Sequence, residues 1–222
     1  MNVLIVLAHP EPKSFNAAMA ASARTTFAAR GHAVSMLDLY ALNFDPRYSR
    51  ANFTSVKDPD YFYPQIEEVH ATEIDGFSSA LEIHMRKLEA CDLMIWQFPL
   101  WWFGLPGILK GWVDRVFAMG RFYGGSRKYK TGLKHGKRAL LSLTTGGPRA
   151  AVEKDGSNGD IDAILRPIQR GMLEFVGFDV LRPNIVFGPI RLSVEERADA
   201  LVAWRARLAA LESEAPVDVG RY

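Results

Sequence analysis

Three short stretches of the sequence hold residues that could bind a ligand. They are HPEPKSFN at 9–16, PLWWFG at 99–104 and TTGG at 144–147. The first combines a histidine with two residues that favour helix starts, where free backbone N–H groups bind phosphate. The second places three aromatic rings beside a glycine, and flat rings next to accessible backbone suit a planar heterocycle. The third offers two hydroxyls and two glycines.

Each stretch also admits an interpretation without a ligand. Ser14 or Asn16 could simply cap a helix, TTGG could be an ordinary turn, and the rings at 101–103 could pack in the core. Against core packing, an unbroken aromatic triplet cannot turn all of its rings inward. The first stretch matches neither G-x-G-x-x-G nor G-x-x-x-x-G-K-[ST], which disfavours the first type of dinucleotide fold and a P-loop ATPase.

The rest of the sequence alternates between apolar runs typical of buried strands and segments with helical periodicity. The predicted strands are NVLIVLAH, HAVSMLDL, DLMIWQF, KRALLSLTTGG and DVLRPNIVFGPI. The predicted helices cover about 15–30, 77–89, 105–117, 160–178 and 193–213. Pro167 should bend the fourth helix, and Pro183 should make part of the fifth strand an edge or a bulge. Ser193 followed by Glu196 predicts a capping box at the last helix.

This order of elements predicts one α/β domain over residues 1–222, with an irregular excursion at about 40–75 where no period is visible. The natural fold is a flavodoxin-like, doubly wound parallel sheet of five strands in the order 2-1-3-4-5. Ligands bind such sheets beyond the carboxyl ends of the strands. Because strands 1, 3 and 4 are neighbours in this order, the three stretches should meet at one edge. Together they suit a flavin.

Composition narrows the class of protein. The 222 residues include 27 Lys and Arg against 25 Asp and Glu, and a net charge of +2 gives no reason to expect a nucleic-acid partner. The single cysteine, Cys91, excludes an internal disulfide and suits the cytoplasm. No stretch reaches the roughly 18 to 20 apolar residues needed to span a bilayer. The histidines lack metal-ligand spacing, so no metal site is expected.

Four stretches resemble blocks of the NAD(P)H:quinone oxidoreductases of the DT-diaphorase type: HPEPKSFN, QFPLWWFGLPGILKGWVDRVF, LLSLTTGG and LRPIQRGMLEFVGFDVL. The similarity runs over nearly the whole chain and is weakest between 45 and 75. The resemblance implies a flavodoxin-like homodimer with one FAD per subunit, FMN being the open alternative, and two active sites at the interface. It also implies ping-pong, two-electron hydride transfer from NADH or NADPH to a quinone or a related azo or nitro compound.

The resemblance further assigns roles by position. The phosphates and ribityl chain of the flavin would be held by His9, Ser14, Phe15 and Asn16. The ring would be held by Pro99, Leu100, Trp101, Trp102, Phe103, Gly104, Thr144, Thr145, Gly146 and Gly147, with Arg197 near the adenylate. The residues expected at the hydride-transfer step are Trp102, Phe103, Gly146 and Asn158. The substrate pocket would be closed by Tyr123, Tyr129 and Phe175, the first two from the partner chain.

The sequence departs from the family in the loop after TTGG. The mammalian enzymes carry there a tyrosine and a histidine, and an ungapped alignment places Val152 and Asn158 at those positions. Valine donates nothing and an amide cannot supply a proton, so solvent or a nearby charge such as Lys154 or Arg149 would take over. Trp101 also stands where those enzymes have a glutamine. The alternative function is a flavin-binding regulatory subunit of a transport system with this fold.

Overall fold

The computed structural model describes residues 1–220; Arg221 and Tyr222, the end of the predicted domain, lie outside the described residues. The strands are β1 (Asn2–Leu7), β2 (Ala33–Asp38), β3 (Leu93–Pro99), β4 (Arg138–Thr145), β5 (Asp179–Val180) and β6 (Asn184–Phe187). The α-helices are α1 (Phe15–Ala29), α2 (Pro64–Ile74), α3 (Ser79–Ala90), α4 (Gly107–Val116), α5 (Ile161–Ile168) and α6 (Val194–Ala210).

The strands form one parallel sheet in the order β2-β1-β3-β4-β5, which confirms the predicted fold and strand order. The fifth position is shared by two short strands, because β6 also pairs with β4. Pro183 lies between them and has no N–H to give to a ladder, so it interrupts the strand as predicted.

Helices cover both faces of the sheet. Along β1 the buried side chains alternate: Leu4 and Val6 belong to one core cluster, Val3 and Ile5 to the other. The first cluster is completed by α3, α4 and α5, and the second by α1 and α6. Since helices cover both faces, the loops that follow the strands lie at the ends of the sheet.

One prediction was wrong: the segment 40–75 is not irregular throughout, because α2 occupies its second half. Pro64 begins this helix, and Asp75 ends it in a left-handed conformation with φ of 54°. The helical period was hidden in the sequence because two of the residues on its buried side are carboxylates, Glu67 and Glu68, rather than apolar side chains.

Pro167 lies inside α5, where the sequence predicted a bend, and the helix passes directly into a π-helical turn over Gln169–Glu174. The capping box predicted at the last helix is confirmed. At α6 the Ser193 hydroxyl accepts from Glu196 N–H, and the Glu196 carboxylate accepts from Ser193 N–H. Within residues 1–220, none of the helices has the length and apolar character that crossing a bilayer requires.

Candidate active site

The three predicted stretches follow three adjacent strands at one edge of the sheet. In the parallel register Leu7 at the end of β1 lies beside Gln97 of β3, and Pro99 at the end of β3 lies beside Thr144 of β4. Loops on neighbouring strands therefore start about one strand spacing apart, about 4.8 Å, and the loops after β1 and β4 start two spacings apart. The structure brings together His9–Asn16, Pro99–Gly104 and Thr144–Gly147.

The aromatic loop after β3 turns its rings outward. Trp102 is 97% exposed and Phe103 is 53% exposed. Both backbones are left-handed, with φ of 49° and 57°, inside a turn closed by reciprocal hydrogen bonds between Trp101 and Gly104. Such a conformation costs roughly 1–2 kcal/mol for each residue with a Cβ atom. The rings therefore do not form part of the core, and strain of this kind is often found where a loop serves a ligand.

The loop after β1 uses its polar side chains mostly within the protein. Ser14 caps α1 by accepting from Ala17 N–H at 3.1 Å, as the interpretation without a ligand foresaw. Phe15 packs against the second core cluster. Within residues 1–220 no acceptor faces the N–H groups of Phe15 and Asn16, so the start of α1 still offers two donors.

His9 lies next to the aromatic loop. Its ring centroid is 6.3 Å from that of Trp101, and its Nδ1 accepts from Glu11 N–H at 3.0 Å. Because Nδ1 acts as the acceptor, a neutral ring carries its hydrogen on Nε2. His9 can therefore present an N–H donor beside the aromatic loop.

A buried hydrogen-bond chain ties the three loops together from below. Gln97 donates to Asn16 Oδ1 at 2.8 Å, and Asn16 donates to Thr144 Oγ1 at 2.9 Å. All three residues are buried. Asn16 and Thr144 were predicted to contact a ligand directly, but the structure places their side chains under the site. Gln97 was missed, although a lone amide within the apolar run DLMIWQF was a visible signal.

The TTGG loop presents backbone donors. Among the described residues, no acceptor faces the N–H groups of Gly146 and Gly147. Gly146 is exposed, and a Cβ atom at this position would meet nothing within 4 Å. The N–H groups of Trp102 and Phe103 likewise have no acceptor within residues 1–220. This edge thus combines flat rings with unpaired N–H groups, an arrangement that can bind a planar group and stabilise negative charge on it.

The residues predicted to close the substrate pocket form one cluster. The ring centroid of Phe175 is 5.4 Å from that of Tyr123 and 5.6 Å from that of Tyr129, and Tyr129 N–H donates to Phe175 O. The cluster lies on the segments that lead into the amino ends of β4 and β5, away from the TTGG edge. The resemblance divided these residues between two chains, whereas the structure places Phe175 against both tyrosines within one chain.

Helix α2 holds Tyr123 in place. Glu68 accepts from Met119 N–H at 2.7 Å and from the Tyr48 hydroxyl at 2.6 Å, and Gln65 donates to the Tyr123 hydroxyl at 3.3 Å. Burial raises the pKa of Glu68 and that of Tyr123. Tyr123 therefore keeps its proton at neutral pH and can donate a hydrogen bond. Sequence reasoning missed this support because it missed the helix.

Of the remaining residues, Arg149, Val152 and Asn158 lie in the segment that follows the TTGG loop, and Arg197 lies in the first turns of α6. Val152 is buried, while Asn158 is exposed and its N–H donates to Ala151 O at 2.7 Å. Arg197 donates to Leu192 O at 2.6 Å, which holds the turn between β6 and α6. The Arg149 guanidinium lies 4.6 Å from the ring centroid of Phe187.

Comparison with known proteins decides the family. A family model described as the flavodoxin-like fold matches residues 1–211. The chain is 42% identical to human ribosyldihydronicotinamide dehydrogenase [quinone] over 216 residues, which are 97% of this chain and 94% of the relative. The chain belongs to the NAD(P)H:quinone oxidoreductase family. As a member of this family it is an oxidoreductase enzyme.

Two further relatives of this NAD(P)H:quinone oxidoreductase family member agree with that assignment. Rat NAD(P)H dehydrogenase [quinone] 1 is 41% identical over 215 residues, covering 96% of this chain and 78% of the relative. A solved Klebsiella pneumoniae structure, proposed to be a quinone reductase, superposes with a TM-score of 0.94 at 36% identity. That match covers 98% of this chain and 87% of the other.

Proposed function

We propose that this protein reduces quinones, or related azo or nitro compounds, with hydride from a dihydronicotinamide, using a bound flavin. The observation that carries the proposal is the pairing of two outward aromatic rings, Trp102 and Phe103, with unpaired N–H groups at Gly146 and Gly147 on one edge. A flat slot of this kind places hydride donor and acceptor face to face, at the roughly 3–3.5 Å that transfer requires.

The residues present fit a flavin. The ring would lie on Trp102 and Phe103, its pyrimidine side would meet the N–H groups of Gly146 and Gly147, and the phosphates would meet the start of α1. His9 would add a donor through Nε2. When bound, the flavin supplies the hydride chemistry by alternating between its oxidised and reduced forms, which makes the reaction ping-pong. We propose FAD as the flavin, with Arg197 toward the adenylate.

The proposed enzyme works as a homodimer. β4 has eight residues and so spans roughly 25 Å between the aromatic cluster at its amino end and the TTGG loop at its carboxyl end. Tyr123, Tyr129 and Phe175 of one subunit are too far from the TTGG edge of the same subunit to close it. A symmetric partner would supply the cluster to each site.

The electron donor is proposed to be NADH or NADPH. A second candidate donor is ribosyldihydronicotinamide, for which the human relative that is 42% identical over 97% of this chain is named. The two donors share the dihydronicotinamide ring, so the aromatic slot would serve both. They differ in the adenylate portion, which NADH and NADPH carry and ribosyldihydronicotinamide lacks.

The decisive experiment begins with the visible spectrum of the purified protein and mass identification of the released chromophore. Anaerobic addition of each donor should bleach the flavin absorbance, and menadione should restore it. A protein without flavin after incubation with FAD or FMN would contradict the proposal. A yellow protein that is inert with every donor and acceptor would instead support the regulatory-subunit alternative.

A further inference from the structure

The carbonyl groups of the TTGG loop are all held by the protein. Thr145 O accepts from Gly188 N–H at 3.0 Å, and Gly146 O accepts from Arg191 Nη1 at 2.9 Å. Gly147 O accepts from the Thr145 hydroxyl at 2.8 Å. Across the same residues the N–H groups of Gly146 and Gly147 have no acceptor within residues 1–220. The loop therefore offers only donors to whatever lies at this edge.

The held carbonyls fix where the free donors point. In a trans peptide the C=O and the N–H point in opposite directions. The bond from Gly188 to Thr145 O therefore aims Gly146 N–H away from the turn that follows β6. The bond from Arg191 to Gly146 O aims Gly147 N–H in the same way. Without the Arg191 bond, the Gly146–Gly147 peptide would be free to rotate, since neither residue has a side chain to resist it.

Arg191 differs from the other basic side chains near this edge. Arg149 lies over the ring of Phe187, and Arg197 donates to Pro189 O and Leu192 O in the turn that precedes α6. Among the described side chains, Arg191 is the cation that donates to the TTGG loop. Its guanidinium also lies 3.7 Å from where a Cβ of Gly188 would stand, so it is packed against the turn that holds Thr145 O.

We propose that Arg191 is a positioning residue that aims the Gly147 N–H at negative charge on the bound flavin and so favours its reduced form. The inference rests on the proposed function. Reduction leaves negative charge on the pyrimidine side of a flavin, and a donor fixed in advance stabilises that charge without reorganisation. Arg191 thereby takes up part of the task that the family's tyrosine and histidine perform, since Val152 and Asn158 stand at those positions.

The test compares the flavin midpoint potential of the wild type with those of Arg191→Met and Arg149→Met, each loaded with the same flavin. Both variants remove one guanidinium at this edge, but only the first removes a bond to the loop. Arg191→Met should lower the ratio of reduced to oxidised flavin affinity about tenfold, which is about 30 mV for a two-electron couple. Arg149→Met should change the ratio less than about threefold, or about 15 mV on the same scale.

Arg191 is exposed, so the variant should keep its fold, and circular dichroism would check this. An unchanged potential in Arg191→Met, with flavin bound, would overturn the inference alone. An equal shift in Arg149→Met would also overturn it, because net charge rather than loop position would then be the cause. A wild-type protein that binds no flavin would overturn the proposed function and this inference together.

Discussion

Gln97 donates from its side chain to Asn16 Oδ1 at 2.8 Å, and both residues are buried beneath the candidate site. This bond joins the strand that carries the aromatic loop to the helix whose start would hold phosphate. Asn16 in turn donates to Thr144 at the base of the TTGG loop. The relative positions of the three loops therefore depend on one internal chain of hydrogen bonds.

Gln97→Met should weaken flavin binding at least tenfold. The substitution removes the donor to Asn16 and leaves a buried acceptor unpaired, which costs about 1–3 kcal/mol of unfolding free energy. A matched control is Asn184→Ala, which breaks a side-chain bond from Asn184 to Ser142 at the same level of the sheet but leaves the chain from Gln97 through Asn16 to Thr144 intact. Chemical denaturation and flavin titration would separate the two effects. Equal losses of flavin affinity in both variants would show that only general stability matters.

Trp102→Ala should lower turnover or flavin retention without destabilising the fold. Because Trp102 is 97% exposed, the unfolding free energy should change by less than about 0.5 kcal/mol. Val152→Ala should have the opposite effect. Because Val152 is buried, this variant should lose about 1 kcal/mol of unfolding free energy, while its turnover stays nearly unchanged. Steady-state kinetics and thermal unfolding of both proteins check the contrast. Equal kinetic losses would contradict the assignment of Trp102 to the site.

Mixing two inactive variants should restore activity. Trp102→Ala damages the ring platform and Tyr129→Ala damages the aromatic cluster, which the proposed dimer takes from opposite subunits. A mixed dimer then holds one site with both parts intact, so random exchange should recover about a quarter of wild-type turnover. The measurement is quinone reduction after joint refolding of the two variants. If the mixture stays as inactive as its components, each subunit builds its site alone.

Gly111→Ala should destabilise the protein. A Cβ atom at Gly111 in α4 would collide with the backbone of Pro46, which belongs to the segment leading to α2. Forcing that contact should cost about 1–3 kcal/mol. Gly107 in the same helix is the matched control, because a Cβ there meets nothing within 4 Å and alanine should stabilise by about 0.4–1 kcal/mol. Thermal unfolding of the two variants should therefore move in opposite directions.

Stability should fall in acid partly through Glu82. Its hydrogen bonds to Arg121 and Arg86 lower its pKa from 4.5 to about 2. As the pH falls, the unfolded chain therefore takes up this proton before the folded protein does. The stability that the Glu82 carboxylate adds is complete above about pH 4.5 and is lost toward pH 2. Glu82→Gln should cost about 1 kcal/mol at pH 7 and less at pH 3.

The control for this pH dependence is Glu73→Gln, which neutralises an exposed carboxylate of α2. Urea unfolding from pH 7 to pH 3 would compare the two variants with the wild type. The Glu82→Gln curve should approach the wild-type curve as the pH falls, while the Glu73→Gln curve should follow the wild type throughout. A constant gap for Glu82→Gln over this range would contradict the ion-pair explanation.

Several features could be predicted from the sequence because they depend on local pattern. Continuous apolar runs such as DLMIWQF indicate strands buried on both faces, and their alternation with helices restricts the sheet to few topologies. That topology places the loops after β1, β3 and β4 at one edge. The outward rings of Trp102 and Phe103 followed from the impossibility of burying three adjacent aromatic side chains.

Other features were decided only by the tertiary structure, because they depend on partners far apart in the chain. Helix α2 was missed because Glu67 and Glu68 lie on its buried side. Hydrogen bonds from distant backbone N–H groups stabilise these buried carboxylates, and no sequence pattern displays those bonds. Phe175 joined Tyr129 through a contact spanning 46 positions of sequence, by the difference of their numbers. The hydrogen bond from Arg191 to Gly146 O likewise joins residues that are far apart in the chain. Periodicity determined which segments form the fold, whereas long-range hydrogen bonds determined which atoms of those segments face the site.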